Sequence, residues 1–492
     1  MIRRASIYYL VLSVFFLAIP LRAQTSTNTG TFTITSAGGT GSKTYAHGLG
    51  TTPKVVFFVT NYIASGTESA TSNSESYSFG IGISSTERRA LWRGSPVSVD
   101  PSVAKNRIRD DRVIMAYRWN SGTSVFDLAY DADLVSYDAT NITLNIVAAP
   151  GADVVVGFYA IGGNDLTDFN LLTLTQPGSL GNWDTTSLSY QPGFLFLFST
   201  NATALNTESA GSALNIGFTD GTNAALVSVH QEDAAGTSDS NFYERSAASQ
   251  LEIWARIDAT STAIDQRNSF VSFLSNGFRL NAVETTSSAT LIFALTMKGP
   301  QFAVGDLTNP TANGNFSETG LAFQPKGLFT AYATSVTSSQ STSDTTAAQD
   351  WLAIGTATST SARWVWGTQS TDNRPSNDLK DHRNSQTSCY ARWNPNSTTV
   401  QTVGDFFSFN TDGYSLNQTG STDTTARLIT YWVIGDAAVP SRGPRRVFIT
   451  ELGLAGGLGS ASDRKTTTTV FLDDVGINRA DFTSARPDRP AR

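Results

Sequence analysis

Three histidines, one cysteine and a run of aspartates are the residues of this chain whose types suit chemistry. His47, His230 and His382 fall one in each third of the chain, at places that do not correspond to one another. A zinc site or a nucleophilic triad needs such groups convergent and oriented. Three scattered histidines therefore predict no catalytic constellation, and His47, beside Gly48, reads as a turn residue. Cys389 is the only cysteine, so an intrachain disulfide and a four-cysteine zinc site are both excluded. Asp127, Asp131, Asp133 and Asp138 crowd one stretch, and calcium takes oxygen ligands from loops. Asp131-Ala132-Asp133 lacks the spacing of an EF-hand loop, however, and solvated carboxylates are the plainer reading. The expectation is a non-enzymatic chain with no catalytic residues, no cofactor and no metal.

The elements that would position any site are set by a repeat. Pro53-Lys54-Val55-Val56-Phe57-Phe58 follows a glycine-rich turn, and the pattern returns as Pro192-Gly193-Phe194-Leu195-Phe196-Leu197 and as Pro325-Lys326-Gly327-Leu328-Phe329. Each copy reads as a turn closed by proline and followed by a strand too uniformly apolar to have a wet face. Further landmarks keep their order. Phe79-Gly80-Ile81-Gly82 matches Asn215-Ile216-Gly217-Phe218 and Leu352-Ala353-Ile354-Gly355, and Leu134-Val135-Ser136-Tyr137 matches Phe270-Val271-Ser272-Phe273 and Phe406-Phe407-Ser408-Phe409. Each copy closes on an apolar strand ending in glycine, at Gly162, Gly299 and Gly435. Self-similarity at a fixed period means repeated structural units. The chain divides into repeats over 24–164, 165–299 and 300–436.

No long apolar pattern at helical spacing occurs, whereas β-branched and aromatic runs broken by turns about every ten residues recur throughout. The predicted class is all-β: three tandem antiparallel β-sandwich domains, jelly-roll-like topology favoured, plus a C-terminal arm over 437–492. Thr67 to Ser76, Asn201 to Ser212 and Ser335 to Thr346 read as polar connections, and Pro96 to Asp111 as a loop with room for one helical turn.

Composition limits the partners. Only 15% of the 492 residues are charged and the formal net charge is -7, which predicts no nucleic-acid partner. Arg3 and Arg4 precede an apolar run over 7–20, and Leu21-Arg22-Ala23 offers a small-residue boundary before Gln24. That layout predicts a signal peptide over 1–23 and a secreted or extracellular chain. No other segment approaches the ~20 apolar residues of a membrane span, so none is expected in the mature chain. The arm, with apolar runs Val447-Phe448-Ile449 and Val470-Phe471-Leu472, suits the addition of a strand to a neighbour's sheet edge.

Counting from Gly82, Gly217 and Gly355 aligns Leu91, Leu226 and Trp364, then Trp92, Val227 and Val365, then Arg93, Ser228 and Trp366. The third set changes from charge to hydroxyl to indole, which predicts a solvent-facing position and makes Trp366 the candidate contact residue. Arg363, Arg374, His382 and Arg392 are the polar candidates near it in sequence.

Phe323-Gln324-Pro325-Lys326, Phe270-Val271-Ser272-Phe273, Asn276-Gly277-Phe278-Arg279-Leu280-Asn281 and the closing apolar-glycine strand together resemble a repeated β-sandwich module of uncharacterised bacteriophage and bacterial surface or virion proteins, over roughly residues 30–436. The resemblance implies no catalytic residues. The functional expectation is a structural protein assembling on or into a virion, extracellular filament or cell envelope, with self-assembly or other surface or virion proteins as partners. The alternative is a secreted adhesin or carbohydrate-binding protein with a glycan as ligand.

Overall fold

The computed structural model of the chain describes residues 24–62, 68–70, 74–96, 99, 101–234, 240–247, 251–258, 263–333, 341–343, 349–371, 381–393, 400–420, 426–438, 446–448 and 469–471. The expected signal peptide and most of the C-terminal arm lie outside these residues. Two compact units divide the chain, 1–437 and 438–492. In the second, β34 (Arg446–Phe448) pairs antiparallel with β35 (Thr469–Phe471).

Each repeat supplies eleven strands in one order. The first contains β1 (Thr25–Ile34), β2 (Gly41–Ala46), β3 (Pro53–Thr60), β4 (Glu68–Ala70), β5 (Ser74–Gly82), β6 (Arg88–Pro96), β7 (Lys105–Arg109), β8 (Ile114–Asn120), β9 (Val125–Tyr137), β10 (Asn141–Ala148) and β11 (Val154–Gly163). The second contains β12 (Asp168–Thr175), β13 (Gly181–Thr185), β14 (Phe194–Ser199), β15 (Glu208–Ala210), β16 (Ser212–Thr219), β17 (Ala224–Gln231), β18 (Ser240–Ala247), β19 (Glu252–Ile257), β20 (Ile264–Leu274), β21 (Gly277–Glu284) and β22 (Leu291–Lys298). The third contains β23 (Gln301–Thr308), β24 (Gly314–Glu318), β25 (Pro325–Ala333), β26 (Ser341–Ser343), β27 (Gln349–Ala357), β28 (Arg363–Thr371), β29 (Asp381–Ser385), β30 (Tyr390–Trp393), β31 (Val400–Asn410), β32 (Gly413–Thr419) and β33 (Leu428–Gly435).

The fold is all-β, built of antiparallel sandwiches. In the first repeat a large sheet in the order β1-β11-β3-β5-β6-β7 covers a four-stranded sheet, β2-β10-β9-β8, and the other two repeats copy both orders. The first strand pairs with the last in one sheet and the second with the last but one in the other, a jelly-roll-like wrap. The remaining strands run as one meander in each sheet. The segment 96–111, expected as a loop with a helical turn, contains β7, whose Asn106 and Ile108 are buried while Lys105 and Arg107 are partly exposed. That alternation is short, and the preceding prolines mask it.

The uniformly apolar strands after the prolines are buried on both faces, which is what a continuous apolar run requires. Val56 and Phe58 of β3 face the interior of their own sandwich, with Tyr130, Leu134, Ile142 and Leu144 from the small sheet. Val55, Phe57 and Val59 face the other way, into a core common to all three repeats. Four residues after each proline stands a phenylalanine, and the three meet. Their ring centroids are 5.5 Å apart for Phe57 and Phe196, 5.7 Å for Phe57 and Phe329, and 5.6 Å for Phe196 and Phe329. This near-equilateral triangle marks a pseudo-threefold axis. Trp432 packs on Phe57, Phe194 and Phe329.

Strand exchange closes the ring. β15 of the second repeat pairs with β7 of the first, β26 of the third with β18 of the second, and β4 of the first with β29 of the third. Each large sheet thus gains a seventh strand from a neighbour. Three connections read as purely polar turns carry these strands. The first strand of each repeat also lies on the repeat that receives its exchanged strand: Thr29 Oγ1 meets Thr356 Oγ1 at 2.6 Å, Arg89 Nε donates to Thr173 Oγ1 at 2.9 Å, and Val304 N donates to Asp220 Oδ2 at 2.9 Å. The beginning and end of the ring meet where Thr25 N donates to Asp436 Oδ1 at 2.8 Å and Ala437 N to Asp165 Oδ2 at 2.8 Å.

Replacing Phe57, Phe196 or Phe329 by Ala should each cost about 3–5 kcal/mol, as for other buried phenylalanines. Pairs should fall short of additivity because the rings share one cavity. Guanidinium denaturation of the three single and three double variants measures both. Losses confined to one repeat, with the others melting as in the parent, would contradict a common core.

Candidate functional site

Trp366 is fully buried, not exposed. Two small differences between the repeats misplace it in the sequence alignment. The glycines that correspond are Gly80, Gly217 and Gly355, since they stand opposite Phe58, Leu197 and Thr330 on the neighbouring strand. At each of the three an added Cβ would overlap a carbonyl oxygen of the chain crossing to the small sheet, that of Val113, Ile253 or Cys389. The hairpin that follows has five loop residues in the first and third repeats, 83–87 and 358–362, but four in the second, 220–223. Across it Gly80 pairs with Ala90, Gly217 with Leu226 and Gly355 with Val365. Trp366 therefore corresponds to Leu91 and Val227, and all three lie in the central core. A one-residue slip in a strand exchanges its faces, which is how a core position took on the look of a surface one.

Trp366 meets Trp364 edge to face at 5.0 Å, and both indoles lie against Gly157 of β11, where a side chain would leave no room. Trp364 Nε1 donates to the Phe158 carbonyl at 2.9 Å. Arg93 and Ser228, expected beside solvent, are buried too. Arg93 pairs with Glu75 at 2.7 Å and donates through Nε to Ser212 of the second repeat at 3.0 Å, while Ser228 donates to Asn215 Oδ1 at 2.6 Å. Arg93 thus has a partner across the seam between repeats, whereas Ser228 is paired inside its own sandwich.

Of the other contact candidates, Arg363 and Arg392 are held by other partners or by burial. Arg363 is half-buried, donates to the Thr387 carbonyl at 2.6 Å and is ion-paired with Asp405. Arg392 is buried in β30; burial foremost, then the nearby Arg427 charge, lowers its guanidinium to about 10. His382 pairs through its backbone with Thr368, and its ring lies outside the described residues, as does all of Arg374.

Of the residues considered for chemistry, His47, His230 and the four aspartates are engaged structurally. His47 Nδ1 accepts from Leu49 N at 3.1 Å, leaving Nε2 to donate to the Asp138 carbonyl at 3.0 Å, so the ring ties a turn together. His230 donates from Nδ1 to the Ile257 carbonyl at 2.8 Å and accepts at Nε2 from Asn201. Burial, set against that carbonyl bond, pushes its ring down to about 4. Asp131 is paired with Arg112 and Asp133 with Arg88. Asp127 accepts from Asn120 at 2.7 Å. Asp138 accepts from Thr140 N and Asn141 N, each at 2.7 Å, which lowers its carboxyl to about 2. Among the described residues no group of three or more His, Cys, Asp or Glu is placed to hold a metal ion.

Between β1 and the third repeat lies a groove of about 390 Å³, with Leu49, Pro325 and Phe409 as its apolar wall and Thr25, Ser26, Thr27, Gln324, Lys326 and Thr358 as its polar one. Lys326 Nζ is 2.6 Å from Asp436 and donates to the Thr25 carbonyl at 3.2 Å, so its charge is balanced locally. The groove combines residues some 300 positions apart, and the repeat was the signal that would have found it: Thr27 stands where the other repeats have Phe169 and Phe302. The chain matches no protein-family model and no curated protein.

Two outcomes follow. Trp366→Ser should destabilise the fold by about 3–5 kcal/mol, as expected for a buried indole, and a melting curve unchanged from the parent would contradict the core placement. His230 has a folded pKa below the ~6.5 of an unfolded histidine, so the unfolded chain takes up the proton first. Its contribution is complete above about pH 6.5 and is lost as pH falls toward 4, with a slope of up to about 1.4 kcal/mol per pH unit. His230→Gln should flatten that part of the stability profile, measured by denaturant titrations at stepped pH.

Proposed function

We propose that this chain is a non-enzymatic structural block that assembles on or into a virion, an extracellular filament or a cell envelope. The observation that carries the reading is that one chain presents the same outer surface three times. In each small sheet a β-bulge sits at the same place, and its extra residue is apolar and exposed: Val135 at 40%, Val271 at 42% and Phe407 at 53%. Bulges re-aim side chains and are kept as features rather than defects. Repetition at three related positions suits contacts with a repeated partner, a second copy of the chain or another surface or virion protein. The ring uses its exchanged strands internally, so assembly rests on these outer faces and on the C-terminal arm rather than on the exchanged strands.

The secreted adhesin or carbohydrate-binding reading is favoured by one observation, the open seam groove. Both readings expect export of the mature chain.

Mass spectrometry of the mature N-terminus and electron microscopy of the purified extracellular chain test assembly directly. Regular particles or filaments containing the processed chain support it, and monomers at every concentration examined overturn it. A chain ending at Ala437 should keep the melting transition of the ring, because 1–437 is a compact unit by itself, and should lose assembly. Unfolding on this truncation would defeat the division between ring and arm.

A further inference from the structure

Where the first repeat meets the second, the chain places a cation of its own in the seam. Arg89 of β6 donates through Nε to Thr173 Oγ1 of β12 at 2.9 Å, and its guanidinium carbon stands 5.6 Å from the centre of the Phe293 ring. Strand pairing gives the counterparts where the second repeat meets the third. Ala225 of β17 takes the place of Arg89, since Arg89 precedes Ala90 opposite Gly80 and Ala225 precedes Leu226 opposite Gly217. Asp306 of β23 takes the place of Thr173, each standing four residues after the phenylalanine of its strand, Phe302 or Phe169. In the remaining seam the same position is Thr31, whose hydroxyl donates to Gln386 Oε1 at 2.9 Å. Between the second and third repeats the internal cation is therefore gone and its acceptor has become a carboxylate, which has no side-chain partner among the described residues.

A groove of about 320 Å³ lies beside Asp306. Glu318 of β24 adds a second carboxylate to its wall; burial pushes that carboxyl up against the pull of the Tyr431 hydroxyl, and the charge of Asp306 pushes it further. Ser246 reaches the groove from β18, opposite Ala225 on the neighbouring strand. It is only 5% exposed, and its hydroxyl has no partner among the described residues. Two more acids stand close by. Asp220 is bonded to the backbone N–H groups of Thr222, Asn223 and Val304. Glu244, on the same face of β18 as Ser246, is wholly buried and accepts from Ala333 N at 2.9 Å; burial foremost, opposed by that bond, and then Asp306 raise its carboxyl. No Lys or Arg lines the groove, and none of the four carboxylates makes an ion pair among the described residues.

We infer that this groove binds an alkylguanidinium group, the chemistry that Arg89 supplies from within the chain at the sister seam. A guanidinium presents N–H donors in a planar fork, which the two carboxylates and the Ser246 hydroxyl can accept. Its methylene stem suits the Leu321 side chain and the Tyr431 ring. An anion is repelled here, and a neutral ligand leaves like charges side by side without compensation. Among the described residues no group of three or more His, Cys, Asp or Glu is placed for a metal ion, so an organic cation is the better match. The inference does not rest on the assembly reading, since the group can belong to an arginine side chain of a partner or to a free small guanidine.

The test titrates the full chain at low salt with propylguanidine and with the peptide N-acetyl-Gly-Arg-Gly-amide, by calorimetry and by NMR. Both should bind with Kd of roughly 0.1–5 mM, and more weakly in about 0.5 M salt. Tighter binding of the peptide supports a protein source for the group, and tighter binding of propylguanidine a free cation. Asp306→Thr, which copies the sister seams, and Ala225→Arg, which restores the internal cation, should each weaken binding by roughly tenfold or more. Asp306 is exposed, so its variant keeps the core intact. Should Ala225→Arg fail to fold, Glu318→Gln replaces it. Absence of binding by both probes up to about 20 mM overturns the proposal. So does wild-type affinity in the folded Asp306→Thr chain, equal affinity for n-butylamine, or displacement of the probes by stoichiometric calcium, which would mark a metal site.

Discussion

Everything in this ring depends on burying both faces of one strand per repeat. The strand after each proline carries a continuous apolar run, and such a run cannot end in a sheet with one face in water. Val56 and Phe58 turn into the first sandwich, while Val55, Phe57 and Val59 turn out of it. A single repeat would expose that second set as an apolar surface. Three repeats solve the problem together by pointing the sets at one axis, where Phe57, Phe196 and Phe329 touch. The repeats are sandwiches by topology but share a core, and their stability is collective.

Around that axis the repeats have diverged in a compensating way. Glycines of one repeat stand against large side chains of a neighbour. Gly157 in the first repeat faces Trp364 and Trp366 of the third, whereas Phe293, its counterpart in the second, meets Arg89 of the first across 5.6 Å. Gly327 leaves room for the Tyr159 hydroxyl where Phe194 stands in the second repeat. Close packing explains the pattern, because an added ring in one repeat forces a missing one in its neighbour.

The exchanged strands serve a different purpose from the core. An unpaired edge of a large sheet is a template for aggregation, and covering it protects the chain. Each of β7, β18 and β29 is covered by three residues from the neighbouring repeat, and since the exchange runs in one direction around the ring, the last donor finds the first acceptor. A chain with three large sheets is protected from edge-to-edge pairing by this closure. The exposed bulges of the small sheets remain as the repeated features available to partners.

The sequence by itself determined the class and the period. Proline, apolar run and closing glycine recur because they are local: a turn, a doubly buried strand and a strand end each need particular residue types at particular spacings. It also placed His47 in a turn, where one ring nitrogen accepts from Leu49 N two residues on, although the other reaches the distant Asp138 carbonyl. Only the tertiary structure decided which residues meet water. Arg93, Ser228 and Trp366 look like a surface series, but Arg93 and Trp366 face a neighbouring repeat and Ser228 faces the interior of its own, and the signal for burial lay in residues elsewhere in the chain, Ser212, Asn215 and Gly157. Counting from Gly82 instead of Gly80 hid the correspondence with Leu91, and a one-residue difference in hairpin length hid that with Val227. The exchanged strands Glu68–Ala70, Glu208–Ala210 and Ser341–Ser343 were illegible for another reason. Strand pairing uses backbone N–H and C=O groups that every residue but proline possesses, so three small or polar residues crossing to a neighbour's edge carry no pattern that distinguishes them from a turn.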